Sequence, residues 1–349
     1  MGDWMIYGAN GYTGRLIVAE AVRRGMTPVL AGRNALQLGE LAQRYGLPVR
    51  AFDLSNRATA ASALSGVPLV LNCAGPFSAT VAPMLEACLA AGAHYLDITG
   101  EIDVFAHCHA QHERAAERGI VVVPGTGFDV VPTDCTAAML AQRLPDADSL
   151  VLAFEAGGGL SPGTAKTSVE GMAKGGRIRR NGALIEVPLA YRERQFVRDG
   201  EALTAVTIPW GDVFTAFVST GVPNVEVYTI VPPAAVVRLK RMRKINWLLR
   251  FPPLRRFVQS RIERRVPGPS EAKRARTGFH VWGEIRRGGE LRTLELAGPN
   301  GYDLTVTAAL GIVTDVLATP RNGGYYTPSQ LMGAEYALSL PGVRKVAES

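Results

Sequence analysis

Up to about residue 145, short runs of Val, Ile and Leu at 4–7, 27–31, 68–73, 95–99 and 120–123 alternate with longer stretches, such as 16–24 and 81–91, whose apolar residues recur every three or four positions. Unbroken apolar runs of this length mark strands buried on both faces, and the helical period between them marks crossover helices. The alternation predicts a doubly wound parallel sheet, a Rossmann domain, over 1–145. After residue 145 the texture changes to Gly- and Thr-rich stretches of strand propensity at 150–156, 205–209, 225–231, 280–285 and 291–296. These predict a second α+β domain on a mixed or antiparallel sheet over 146–304. Helical periodicity at 305–317 and 328–340 predicts that 305–349 returns to pack on the first domain.

A chain of 349 residues with 47% hydrophobic content can bury two cores, which excludes disorder as its main character. The longest apolar runs, such as 66–74, fall well short of the eighteen or so residues of a membrane span, so none is predicted. The first strand begins at Trp4, leaving no room for a secretory leader, and a cytoplasmic protein is expected. Cys73, Cys88, Cys108 and Cys135 form no Cys-x-x-Cys pair, which fits reduced thiols and neither disulfides nor a zinc knuckle. The net charge of +7 raises nucleic acid as a partner, but the cations concentrate between Arg238 and Arg276 rather than across a recognisable binding module. No nucleic acid is expected.

The first strand runs into Gly8-Ala9-Asn10-Gly11-Tyr12-Thr13-Gly14, and a helix follows. A pyrophosphate needs free backbone amides at a helix N-terminus, and residues without a β-carbon let the chain turn tightly and approach it. Gly8 is placed at the turn, Gly11 against the pyrophosphate and Gly14 where the helix packs on the strand, with Asn10, Tyr12 and Thr13 beside them. The second strand ends in Ala31-Gly32-Arg33-Asn34, where an NAD-binding fold usually carries an acidic residue against the ribose. A guanidinium grips a 2′-phosphate that a carboxylate would repel, so NADP is the expected cofactor, with Asn34 adjacent. Asp53 follows the third strand, either at the adenine edge or as a helix cap.

Ligands of such sheets lie beyond the carboxyl ends of the strands. The loop Ala74-Gly75-Pro76-Phe77 is therefore expected to reach the nicotinamide ribose, with Thr99 and Gly100 beside it. Asp97, Glu101, Asp129 and Asp134 follow strands on the same side and are expected to bring carboxylates to one rim. Glu101 and Asp129 are the candidate catalytic groups near the transferred hydride; a helix cap for Glu101 and a loop-holding role for Asp129 remain open. Gly163 and Thr164 start either a helix that holds an anionic or carbonyl end of a substrate or a plain turn. His107, Cys108, His109, His112 and Glu113 superficially resemble a metal cluster, but a polar helix face accounts for them and no metal is expected.

Taken together, these segments resemble the saccharopine dehydrogenase-like oxidoreductases, within them the branch of trans-acting enoyl reductases. The resemblance is carried by Gly8 to Gly14 with Ala31-Gly32-Arg33, by Asn72 to Phe77, by His94 to Glu101 and by Gly127-Phe128-Asp129-Val130-Val131-Pro132-Thr133-Asp134. Gly163-Thr164 with Ser168, Gly211-Asp212 and Gly324-Tyr325-Tyr326-Thr327-Pro328 continue it, while 228–269 matches least well. It implies an NADPH-dependent reductase, commonly a homodimer, whose second domain shapes the substrate pocket; Gly163, Thr164 and Asp212 are the candidate substrate contacts. The chemistry it implies is reduction of a C=C bond of a small or carrier-bound acyl or polyketide-like substrate, or of a C=N bond. A cofactor-binding scaffold without turnover is the other class, which the intact glycines and Arg33 disfavour.

The segment 236–265 stands apart. Eleven Lys and Arg from Arg238 to Arg265 interleave with Leu239, Met242, Ile245, Trp247, Leu248, Leu249, Phe251, Leu254, Phe257, Val258 and Ile262. The spacing predicts short amphipathic helices broken at Pro252-Pro253. Three roles fit that pattern: peripheral contact with an anionic membrane, docking of an acidic acyl carrier, or an apolar cover over the second domain or a dimer partner.

Overall fold

The computed structural model describes residues 4–349, without the side chains at 250, 252, 256, 263 and 264, so Arg250, Arg256 and Arg264 of the basic segment fall outside the described side chains. In chain order the first strands are β1 (Met5–Tyr7), β2 (Val29–Gly32), β3 (Val49–Ala51), β4 (Leu69–Asn72), β5 (His94–Asp97) and β6 (Val121–Val123). Then come β7 (Ser149–Ala156), β8 (Gly176–Arg180), β9 (Ala183–Val187), β10 (Glu193–Arg198), β11 (Glu201–Thr207), β12 (Val225–Ile230), β13 (Phe279–Arg287) and β14 (Glu290–Gly298). Two short strands, β15 (Gly324–Tyr325) and β16 (Arg344–Glu348), close the chain.

The first sheet has seven strands in the order β15-β6-β5-β4-β1-β2-β3, all parallel. Strands β1, β2 and β4 are buried along their whole length, as continuous apolar runs under helices on both faces require. Trp4, Met5 and Ile6 are completely buried, each contributing roughly 2 kcal/mol of hydrophobic stabilisation. The strand order reverses between β1 and β4, and the crevice at such a reversal is where ligands of open α/β sheets bind.

The second sheet has nine strands, with β10-β11-β12-β7-β13-β14-β16 as its spine and β8 and β9 to one side. Only β7 and β12 pair in parallel, so the sheet is mixed. Its β8–β10 region carries no predicted strand, yet two tight hairpins build it: Asn181 and Gly182 join β8 to β9, and Asp199 and Gly200 join β10 to β11, all four with positive φ. The helix Val131–Arg143 lies directly on β13, and a β-carbon at Gly283 would come within 2.5 Å of Thr136. The close approach seats the second sheet against the first domain.

The chain after residue 304 serves both sheets. The helix Gly301–Ala318 packs on the helix Tyr12–Arg23 and on β4, β15 extends the first sheet, and β16 pairs with β14 in the second. That helix is long and apolar enough to cross a membrane, unlike any run foreseen from the sequence. Its Leu304, Ala308, Leu310, Ile312 and Val313 are completely buried, which marks a core helix.

Candidate active site

The helix Tyr12–Arg23 starts behind Gly11 with no side-chain cap, so its first-turn amides are available to an anion. Gly8 adopts φ +83° and a β-carbon there would lie 2.8 Å from the Ala74 amide nitrogen; one at Gly14 would lie 2.3 Å from the Gly8 carbonyl oxygen. Gly11 differs: its φ of −72° suits any residue, and a β-carbon would sit 3.2 Å from the Gly8 carbonyl oxygen. The fold itself demands glycine at 8 and 14, whereas at 11 the missing side chain mainly leaves room above the amides. Arg33 is exposed, and among the described residues its guanidinium has no hydrogen-bond or ion-pair partner. These features fit a dinucleotide with a 2′-phosphate.

Several neighbours also carry bonds within the chain. Asn10 donates its side-chain N–H to Gln37 Oε1 at 2.7 Å. Asn34 caps the helix Ala35–Tyr45 by accepting the Gln37 amide at 3.1 Å. Asp53 accepts the Ser55 amide at 2.7 Å, while Asn56 caps the following helix; the Ser55 donors and the Arg33 charge hold its carboxyl below the usual value. Thr13 is half-buried in the first helical turn. Tyr12 reaches into the second domain, where its hydroxyl donates to the Pro269 carbonyl at 2.6 Å and accepts from Arg274 at 3.2 Å.

Beyond β4 and β5 lies a cavity of about 480 Å³. Gly100, Glu101, Asp103 and Asp129 form its first-domain wall, and Phe154, Thr164, Met172, Ile208, Trp210 and Leu239 its opposite wall. The Ala74–Phe77 loop supports the near side through Glu101, whose carboxylate accepts the amides of Phe77 (2.8 Å) and Ser78 (2.9 Å). Glu101 thus caps the helix Phe77–Ala91, not the one it precedes. Burial, reinforced by the Glu170 charge, pushes its carboxyl up to about 7 despite those amides. Thr99 is fully buried and accepts the Glu101 amide at 3.0 Å, so its side chain holds the loop.

Five carboxylates line the cavity: Glu101, Asp103, Asp129, Glu155 and Glu170. Asp103 pairs with Lys174 at 2.5 Å and with Arg177; Glu155 pairs with Arg198; Glu170 accepts from Ser78 and Gln259, each at 2.9 Å. Only the Asp129 carboxyl has no partner among the described residues. Burial alone raises it to about 7. Its main chain is fixed by Trp210, whose indole N–H donates to the Asp129 carbonyl at 2.5 Å. A β-carbon at Gly100 would lie 2.9 Å from Asp129 Oδ2, so the carboxyl rests against the end of the fifth-strand loop.

Thr164 faces the cavity from the first turn of the helix Pro162–Lys174, in contact with Ser161 (3.0 Å) and with the Tyr302 hydroxyl (3.3 Å). Gly163, one residue earlier, leaves space beside Ser161. Asp212 is a correction: it is fully buried, beside Thr133 at 2.9 Å, and does not reach the cavity. Asp97 and Asp134 likewise lie under the loops rather than on a rim. Asp97 accepts from Thr99 N, Gly125 N and the Tyr95 hydroxyl, and Asp134 from Ser219 and Ser329. The histidine cluster is dispersed among packing roles: His109 lies edge-on to Phe214 and Tyr325, and His112 accepts the Tyr325 amide. Lys174, Arg177, Met172 and Leu239 had no signal in the sequence, because only the tertiary fold brings them to Glu101 and Asp129.

Residues 4–123 match the family described as Saccharopine dehydrogenase NADP binding domain. A saccharopine dehydrogenase-like oxidoreductase of Mus musculus is 28% identical over 202 residues, 50% of this chain and 47% of the relative. A Mycobacterium tuberculosis protein provisionally named a trans-acting enoyl reductase is 32% identical over 192 residues, 48% of this chain and 43% of the relative. The chain thus spans about half the length of the curated relatives it matches. The apo saccharopine dehydrogenase (L-Glu forming) of Saccharomyces cerevisiae has the same fold, with a TM-score of 0.69 at 11% identity, covering 99% of this chain and 100% of that one.

Proposed function

From a chain whose first domain is an NADP-binding domain of the saccharopine dehydrogenase kind, we propose an NADPH-dependent reductase that saturates the C=C bond of an acyl substrate, acting in the manner of the trans-acting enoyl reductases. The supporting observation is the unpaired carboxyl of Asp129, set against Gly100 on the side where the nicotinamide is expected and facing an apolar wall of Phe154, Met172, Ile208, Trp210 and Leu239. A carboxyl that titrates near 7 holds a proton at neutral pH and can give it up. NADPH, when bound, would supply a hydride for the β-carbon of an enoyl group. Asp129 would give the matching proton to the α-carbon, so that hydride and proton together saturate the bond. Trp210 and Gly100 hold the carboxyl in place, and Thr164 offers a hydroxyl to the substrate carbonyl.

The cavity cations favour an acyl chain over an amino-diacid. Lys174 and Arg177 are the only Lys or Arg among the lining residues, and both are committed to Asp103. A substrate with several carboxylates requires free cations to hold them. Reduction of a C=N bond is the second reading, supported by the ability of an ionised Asp129 to face a cationic imine. The test is NADPH oxidation with trans-2-enoyl thioesters of increasing chain length beside amine and keto-acid pairs. Turnover of enoyl substrates that rises with chain length and collapses in Asp129→Asn is expected. Turnover of amine and keto-acid pairs alone would overturn the acyl assignment.

A further inference from the structure

The basic segment lies over the cavity as a roof, entering its lining through Leu239 and bonding to other lining residues. After β12 the chain forms the helix Pro233–Met242, a 3-10 turn at Asn246–Arg250 and the helix Pro252–Arg265. Its inner side is tied to cavity-lining residues: Arg243 donates to the carbonyls of Leu189 (2.5 Å) and Ala190, Asn246 to the Met172 carbonyl (3.2 Å), and Gln259 to Glu170 (2.9 Å). Leu239 enters the cavity wall itself, and the last helix packs along Pro162–Lys174.

The outer side is apolar and cationic at once. Ile245, Trp247, Phe251 and Phe257 are 55, 52, 57 and 56% exposed, with Val237 and Leu254 beside them. Half of the exposed large hydrophobic residues described in the whole protein fall within this one segment. From Arg238 to Arg265 the sequence has eleven Lys and Arg and a single acid, Glu263. Of these, Arg241, Lys244, Arg261 and Arg265 are exposed.

We infer that this roof is a membrane-docking surface that sets the cavity mouth on an anionic bilayer, so that the acyl chain is drawn from the leaflet. Exposed Trp and Phe interleaved with cations match the interface of a negatively charged bilayer, where rings enter the headgroup boundary and cations meet the phosphates. An acidic carrier protein would account for the charges but not for three large aromatic rings left in water. The mouth has a matching apolar edge: Leu160, 51% exposed, lines the cavity next to the helix on which the roof rests. The leaflet-to-cavity route rests on the acyl reading above; docking itself does not.

The experiment therefore reads docking without turnover. Full-length protein is sedimented with vesicles of phosphatidylcholine alone or with phosphatidylglycerol, at low and high salt. Two variants accompany it, Trp247→Ser/Phe251→Ser/Phe257→Ser and Arg241→Gln/Lys244→Gln/Arg261→Gln, each checked for unchanged NADPH affinity. Binding to the anionic vesicles only, weakened at least about tenfold in both variants and by salt in the unmodified protein, is the expected result. No binding to anionic vesicles at low salt overturns the proposal. So does a dimer, seen by sedimentation velocity, that the aromatic variant dissociates, because the patch is then covered by a second copy. Capture of an acidic acyl carrier protein by unmodified protein that ignores vesicles also overturns it. If docking holds but enoyl lipids in the vesicles are not reduced, the acyl reading fails and the docking surface stands.

Discussion

The indole N–H of Trp210 donates to the main-chain carbonyl of Asp129, so a residue of the second domain fixes the loop that carries the cavity's one unpaired carboxyl. Neither residue is complete without the other: Asp129 supplies the titrating group, and Trp210 pins its backbone while forming the facing wall.

Asp129→Asn is expected to lower kcat by roughly 10²- to 10⁴-fold, the usual worth of a positioned proton donor, with NADPH affinity preserved. Its carboxyl titrates at about 7 in the folded protein, raised from the ordinary value of 3.8. The acid form is the active one, so kcat of the unmodified enzyme should fall as pH rises through about 7, and that limb should vanish in the variant. Stability has a defined sign as well. A carboxyl raised on folding disfavours the folded state progressively as pH rises from about 4 to about 7, with no further change above. Thermal melts should show the Asn variant gaining on the unmodified protein across that window and staying level with it below pH 4; a constant difference would argue against the raised value.

Arg33→Ala should weaken NADPH binding by at least about tenfold, some 1.4 kcal/mol for the lost phosphate contact, and leave NADH binding nearly unchanged. Calorimetry with the two cofactors measures both. Equal loss for NADH and NADPH would place Arg33 away from the 2′-phosphate.

Gly11 and Gly8 should separate ligand binding from folding. At Gly11 the backbone accepts a side chain with a small shift, so Gly11→Val should stay folded and lose cofactor binding. At Gly8 both the positive φ and the Ala74 backbone oppose any β-carbon, so Gly8→Ala should cost about 2 kcal/mol or more of stability. Chemical denaturation and NADPH titration of the two variants decide it.

Asp212 should tolerate amide replacement. The Thr133 hydroxyl has one proton and two oxygen neighbours, the Val130 carbonyl at 3.0 Å and Asp212 Oδ2 at 2.9 Å. The Val130 carbonyl already accepts the Asp134 amide at 2.8 Å, which leaves the Thr133 hydroxyl free to donate to Asp212 Oδ2, while burial raises the Asp212 carboxyl well above the usual range. Asp212→Asn should change stability by less than about 1 kcal/mol, whereas Asp212→Ala, which leaves a buried void and an unmatched hydroxyl, should cost about 2 kcal/mol or more. Equal losses in denaturation midpoints would show that an amide cannot stand in for the carboxyl.

What could be read from the sequence followed from local physics. The parallel sheet was visible because strands such as 4–7 and 68–73 are uniformly apolar, and the glycine loop because turn, helix start and phosphate site share seven consecutive residues. The Asn181-Gly182 and Asp199-Gly200 turns are equally local signals for hairpins, but charged and polar residues interrupt β8 to β10, so these strands lack the apolar runs that mark the others. Asp212 was misplaced for a different reason: the side of a helix on which a carboxylate lies depends on what covers it, here the helix Val131–Arg143. The cavity's far wall was not legible at all, since Lys174, Trp210 and Leu239 meet Asp129 only through tertiary packing.

The chain passes from β6 to β7, comes back for β15 and leaves again for β16, so the two sheets are stitched together by three covalent crossings. A clamshell joined at a single point can gape to admit cargo; one laced three times can open only a little. The segment 233–265 lies between β12 and β13, belongs to neither sheet and rests on the helix Pro162–Lys174, so it can shift without breaking either ladder. Movement is therefore expected at the ceiling rather than at the jaws, and amide exchange in 233–265 should outpace exchange in β1, β4 and β13.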